Sequence, residues 1–210
     1  FYREHPADAT HVGLSTGEGR LNPATLTALR KQQARRRAAL GKLDTIAPSA
    51  LSNEQNLDRL AFRARLLREC EEFDRGRHEL DPTGIDEVLG FLLKELQRGE
   101  DKPKRAARNI RGLLRDTPRY LGQAARLVTR PERVWRGVMA VSFNASGVFF
   151  DSVAGLLHAN SIQLSDSSLL AAANRACQRY HDSILANRSA NPRSSAIGPA
   201  CLHPRIREGL

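Results

Sequence analysis

Apolar residues recur along most of this chain at intervals of three and four, the spacing of a helix that buries one face. Asn22 caps and Pro23 starts a first helix, in which Leu26, Leu29, Gln33, Arg36 and Leu40 keep helical register. Leu43 and Ile46 extend that stripe toward Pro48, where the helix must end. Ser52 with Gln55 forms a capping-box pattern and opens a second helix to about Phe73, with Leu57, Leu60, Ala61, Ala64, Leu67 and Cys70 on its apolar face. The connection 48–52 is so short that the two helices must form an antiparallel hairpin.

Asp81 and Pro82 open a third helix with Ile85, Val88, Leu89, Leu92, Leu93 and Leu96 inward, and Gly99 closes it. A fourth runs from about Pro103 to Arg115 with Ala106, Ile110, Leu113 and Leu114 inward. Thr117 and Pro118 stop it and start a fifth that reaches about Val128, because proline lacks the amide a helix interior needs. Pro131 begins a sixth, which reaches His158, and its segment 138–157 reads as a buried core helix. A seventh follows Ser165, carrying Leu169, Leu170, Ala173, Ala176, Cys177, Tyr180, Ile184 and Leu185. The predicted fold is all-α, a multi-helix bundle of about seven helices built from hairpins over residues 1–187, with an irregular tail at 188–210 rich in proline and glycine.

Composition sharpens this picture. Hydrophobic residues make up 40% and aromatics 5%, so the core is built from Leu, Ala and Val. A length of 210 residues suffices to bury a substantial core. Lys and Arg total 33 against 23 for Asp and Glu, a formal charge of +10, which would attract nucleic acid, an anionic surface or acidic substrates. The basic residues are scattered through helices, so a solvated face is favoured over a nucleic-acid surface. Ser142, Asn144, Ser146, Asp151 and Ser152 make the longest apolar stretch too polar for a membrane span. A cytoplasmic location is the expectation, although Phe1 is not an initiator methionine and a targeting segment can precede it.

Candidate chemistry is sparse. His78-Glu79 runs into Leu80, Asp81 and Pro82, so the second imidazole of a His-Glu-x-x-His zinc helix is absent, and His158 and His181 are isolated. Ser146 in Asn144-Ala145-Ser146-Gly147 lies within a predicted helix and suits a small-residue packing seam better than a nucleophile elbow. Gly13, Gly17 and Gly19 do not follow a strand, as a dinucleotide loop requires. Cys70, Cys177 and Cys201 show no metal or disulfide spacing, and the first two read as small buried thiols. The cluster Arg30, Lys31, Arg35, Arg36 and Arg37 is spread around its helix by the 100° rotation per residue, and the run 102–115 has the same weakness and no interleaved aromatics. No catalytic, cofactor-binding or metal-ligating residue is assigned.

Phe1-Tyr2, His5-Pro6, Ala9-Thr10, Gly13-Leu14 and Arg20-Leu21 resemble the opening of the bacterial family catalogued as domain of unknown function 885. Pro118, Leu121, Leu127, Pro131 and the segment 147–150 resemble its short helix, proline and long helix, and Tyr180, Leu185 and Ala196-Ile197-Gly198 resemble the stretch before its larger half. The resemblance implies the helical N-terminal region of a zinc metallopeptidase-like protein of the gluzincin type, whose zinc motif belongs to a C-terminal half beyond this sequence. Its implied share is a wall or lid of a substrate cleft, not catalytic alone, with peptide as the implied substrate and an acidic peptide or C-terminal carboxylate suited to a basic wall. The competing class is a free-standing basic helical module that binds nucleic acid or an anionic surface.

Overall fold

The computed structural model describes residues 19–99, 101–159 and 168–187, and within them the chain is helical with short connections. The helices are α1 (Leu26–Asp44), α2 (Asn53–Asp74), α3 (Arg77–Leu80), α4 (Gly84–Arg98), α5 (Pro103–Leu127), α6 (Arg133–Ala159) and α7 (Ser168–Ala186), with one 3-10 turn at Pro48–Ala50. The all-α bundle is therefore the fold, while three boundaries differ from the sequence reading.

The first concerns Pro118, which lies inside α5 instead of ending it. An interior proline costs a helix about 3 kcal/mol, but Leu113, Leu114, Thr117, Tyr120, Leu121 and Ala124 all face the core on both sides of it. Burying that continuous face outweighs the loss, and the Thr117 hydroxyl donates to the Leu113 carbonyl at 2.8 Å in the interrupted turn. The second difference is at α1, whose cap is Thr25 rather than Asn22: its hydroxyl accepts from the Ala28 amide at 3.2 Å. The third is α3, a single turn that local periodicity is too short to reveal. The capping box at α2 forms as read, Ser52 and Gln55 exchanging hydrogen bonds of 3.0 and 3.2 Å.

Four helices make the bundle, with neighbouring pairs α4–α5, α5–α7, α7–α6 and α6–α4 closing a ring around one core. Ile85, Val88 and Leu92 of α4, Ile110 and Leu114 of α5, Met139 and Val153 of α6, and Ala173, Cys177 and Ile184 of α7 fill it. Polar ties fix the pairs. Glu95 of α4, 2% exposed, accepts from Asn109 of α5 and from Arg98, each at 3.0 Å, and Ser142 of α6 donates to Asp86 of α4 at 2.5 Å.

The hairpin of α1 and α2 forms as expected but stands beside the bundle, and its seam is polar. Gln33 donates to the Cys70 carbonyl and to Asp74, both at 3.1 Å, Arg37 grips Asp74 at 2.9 Å, and Arg36 meets Glu69 at 2.7 Å. Leu57, Leu60 and Phe62, expected or available for an apolar face, are 67%, 46% and 49% exposed, and only Leu66, Cys70 and Gln33 of the pair are buried. Exposed ion pairs contribute little each, so the tip of this hairpin is held weakly compared with the bundle. Its base is tied more firmly: the amides of Arg130 and Glu132 donate to the carbonyls of Glu79 and Leu80 at 2.9 and 3.2 Å, and Arg130 pairs with Glu79.

The long helix α6 departs most from expectation. Met139, Ser142, Ser146, Phe150, Val153 and Leu157 face the core, but Val134, Val138, Val141 and Val148 are 68%, 40%, 69% and 69% exposed. A second apolar face therefore runs along this helix toward solvent. Of the predicted small-residue seam 144–147, Ser146 is buried beside Cys177 of α7 while Asn144 and Ala145 are exposed, and a Cβ on Gly137, Gly147 or Gly155 would meet nothing within 4 Å. Leu93 and Leu185, read as inward, are also exposed, at 49% and 46%.

Candidate functional site

The hairpin base, α3, the first turn of α4, the middle of α5 and Tyr180 of α7 surround a cleft of about 950 Å³. Its roof is the segment 19–24, which crosses α5 where two glycines meet. Gly19 has a left-handed φ of 71°, and a Cβ on Gly112 would stand 2.5 Å from the Gly19 carbonyl oxygen. Leu21 then sinks into the core at 1% exposure. Asp116 accepts from the Leu21 amide at 2.9 Å, Arg119 donates to the Leu21 carbonyl at 3.2 Å, and Gln123 accepts from the Ala24 amide at 3.2 Å. Two turns of α5, from Asp116 to Gln123, thus hold the roof.

Charge inside the cleft is largely internally engaged. Burial opposes ionisation of Asp116, but hydrogen bonds from Arg119 and the Leu21 amide outweigh it and hold its carboxyl below the usual value. Asp81 pairs with Arg77 and accepts from the Thr83 amide at 3.1 Å. Glu87 accepts from Tyr120 at 2.5 Å. Burial, with the charge of Glu87 beside it, drives the Tyr120 phenol far above its ordinary range, and burial raises Tyr180 likewise. Both phenols are neutral. Gly84 lets the Tyr180 ring close on the start of α4, since a Cβ there would lie 3.2 Å from the ring and its oxygen.

His78 lines this cleft, stacked on Phe73 at 5.0 Å between ring centroids, with its basicity lowered by burial. Its Nδ1 finds no partner among the described residues. Among the described residues it is not brought together with another histidine: His158 is exposed at the end of α6, and His181 stacks on Phe143 at 4.2 Å and contacts Asp182. Ser146 donates to the Phe143 carbonyl at 2.7 Å and sits in the core beside Cys177, whose thiol burial pushes up to about 11 despite its hydrogen bond with that serine. Cys70 is buried as well, and Cys201, Gly13 and Gly17 lie outside the described residues. Among the described residues no group of three or more His, Cys, Asp or Glu is placed to hold a metal ion, and no described helix is long and apolar enough to cross a membrane. Cations, carboxylates and phenols thus line the cleft together.

The first basic cluster stays dispersed, with Arg36 and Arg37 spent on Glu69 and Asp74. The second does not. Because α5 continues through Pro118, Lys104, Arg108, Arg111, Arg115, Arg119 and Arg126 share one register and fall within an arc of about 80° at 100° per residue. Lys104, Arg108, Arg111 and Arg115 already share this register before Pro118, at spacings of four, three and four that the sequence itself displays, and the continued helix adds Arg119 and Arg126 to it. Asp116, Arg119 and Gly112 carry no motif and are legible as site residues only once residues 19–24 are placed on them. No protein-family model matches the chain, and no curated protein or solved structure is detectably similar to it.

Proposed function

We propose that this chain is the helical N-terminal region of a zinc metallopeptidase-like protein, that it forms a wall of the substrate cleft without being catalytic alone, and that the outer face of α6 receives the zinc-bearing half. The observation that carries the reading is that outer face. Val134, Val138, Val141, Ala145, Val148 and Leu156 keep one helical register and are all exposed. Between Arg136 and the end of the helix, Asp151 is the one Asp, Glu, Lys or Arg. A helix that is apolar on two faces suits burial on two sides. Valine, alanine and glycine on the open side let a second helix approach closely. The resemblance to family 885 supplies the identity of the partner, and the cleft beside the hairpin supports a role in binding rather than chemistry.

Metal content and peptidase activity decide the matter, measured on this chain and on the same chain extended through the reading frame that follows Leu210. Stoichiometric zinc and hydrolysis in the extended form only are expected. In that form Val141→Asp with Val148→Asp reduces activity at least tenfold, while the 210-residue chain carrying the same changes keeps its unfolding midpoint, because both side chains face solvent there. Zinc and hydrolysis in the 210-residue chain itself would sink the proposal.

A further inference from the structure

The buried residues of α5, from Ala106 through Ile110, Leu113, Leu114 and Leu121 to Ala124, occupy one side of the helix, and the basic series occupies the other. We propose that this outer face, carrying Lys104, Arg108, Arg111, Arg115, Arg119 and Arg126, is a docking track for an extended acidic peptide. The inference does not depend on the reading of α6, which concerns a different helix and an apolar face.

The first argument is charge separation. On the hairpin, arginines alternate with acids and are consumed by them: Arg36 with Glu69, Arg37 with Asp74, Arg63 with Asp44. Along α5 the one carboxylate is Asp116, and it is turned to the Leu21 amide and to Arg119. Arg119 is therefore committed to the roof of the cleft, while Lys104, Arg115 and Arg126 extend the positive face on either side of it in exposed positions. A sustained positive potential along one line of the surface recruits an anionic polymer rather than a single anion.

Geometry selects the polymer. From residue 104 to residue 126 the track spans about 33 Å at 1.5 Å per residue, the length of about ten residues of extended peptide at 3.3 Å each. Alternate side chains of such a peptide fall on one side about 6.6 Å apart, and neighbouring cations on the helix rise by about 4.5–6 Å from Lys104 to Arg119 and by about 10.5 Å from Arg119 to Arg126. Flexible glutamate side chains absorb the difference over the whole length. A nucleic-acid duplex fits less well, because its phosphate paths curve away from a straight helix. A single strand would want aromatic platforms for its bases, whereas Tyr120, the aromatic of α5, is buried at 5% exposure against Glu87. Arg115 and Arg119 also line the cleft, so a peptide on the track passes its mouth.

The test uses the purified full chain and a fluorescein-labelled deca-glutamate peptide, read by fluorescence anisotropy with a deca-thymidylate strand and a deca-glutamine peptide as comparisons. Saturable binding of the glutamate peptide is expected, weakening by about tenfold or more between about 50 and 200 mM salt. The triple variant Lys104→Glu, Arg108→Glu, Arg115→Glu should weaken it by about tenfold or more. A hairpin triple of equal charge, Arg30→Glu, Lys42→Glu, Arg68→Glu, should change it by less than about threefold. If the reversed triple disturbs folding by circular dichroism, the neutral triple to glutamine replaces it and is read in the same way. Equal losses from the two triples overturn the proposal, since net charge would then suffice. Tighter binding of the thymidylate strand also overturns it and assigns the track to nucleic acid, and so does the absence of saturable peptide binding.

Discussion

Replacing Gly112 with alanine should destabilise this protein, although the same change ten residues later should stabilise it. In an open helix interior, glycine to alanine gains about 0.5–1 kcal/mol, because the backbone loses less freedom on folding. Gly122 on the exposed side of α5 meets that condition, with nothing within 4 Å of an added Cβ. At Gly112 the same methyl would stand 2.5 Å from the carbonyl oxygen of Gly19 and 3.1 Å from its Cα. Both neighbours are backbone, so the roof segment must move. Gly19 cannot swing inward, since its own Cα already faces the Asn109 backbone so closely that a Cβ there would lie 3.0 Å from the Asn109 oxygen.

Overpacking of this kind costs about 1–3 kcal/mol. Displacing the roof also loosens Leu21, whose full burial is worth about 1.5–3 kcal/mol, and strains its hydrogen bonds with Asp116 and Arg119, each worth about 0.5–1.5 kcal/mol. Set against the propensity gain, Gly112→Ala should lose about 1–3 kcal/mol and Gly122→Ala should gain about 0.5–1 kcal/mol. Urea unfolding followed by far-UV circular dichroism reads both, with unchanged slopes licensing the comparison. If the two variants are stabilised alike, residues 19–24 do not seat on α5 as described, and the cleft loses its roof.

Other expectations follow from the same structure. Asp116 has a depressed folded-state pKa, so its contribution is complete above the ordinary carboxylate value and is lost as pH falls through the depressed one; Asp116→Asn should flatten the stability curve below about pH 4, and an unchanged acid limb would refute this. Leu114→Ala, at a position with 0% exposure, should cost about 2–5 kcal/mol. Leu57→Ala, at 67% exposure, should stay within about 0.5 kcal/mol of the parent, and chemical unfolding that finds the two alike would contradict the bundle-and-hairpin division. Cys177 should resist iodoacetamide in the native chain at about pH 8 and label on unfolding, because the thiol is fully buried and its ionisation is pushed up to about 11; peptide mass mapping that finds native labelling at the unfolded rate would count against its placement.

Much of the secondary structure was legible in the residues themselves. The capping box at Ser52, the apolar register of α4 and the hairpin forced by the short connection 48–52 are local, and local rules suffice for them. Two local rules misled. Pro118 disfavours a helix by a fixed amount, but whether that amount decides anything depends on how much apolar surface the continued helix buries against α4 and α7. The apolar run of α6 is a fact of sequence, yet periodicity cannot say whether a second apolar face is covered, because coverage is a property of neighbours.

By itself, the sequence determined that the chain is helical, where most helices begin and end, and that no standard catalytic motif is present among its residues. Only the tertiary structure decided that residues 19–24 roof a cleft, that Gly19 and Gly112 touch across 93 positions, that the basic residues on either side of Pro118 form one line, and that the valines of α6 look outward. The reason is range. Helix propensity and capping act over three or four residues, whereas a cleft, an uncovered face or an aligned track exists only when segments far apart in the chain are brought to one place.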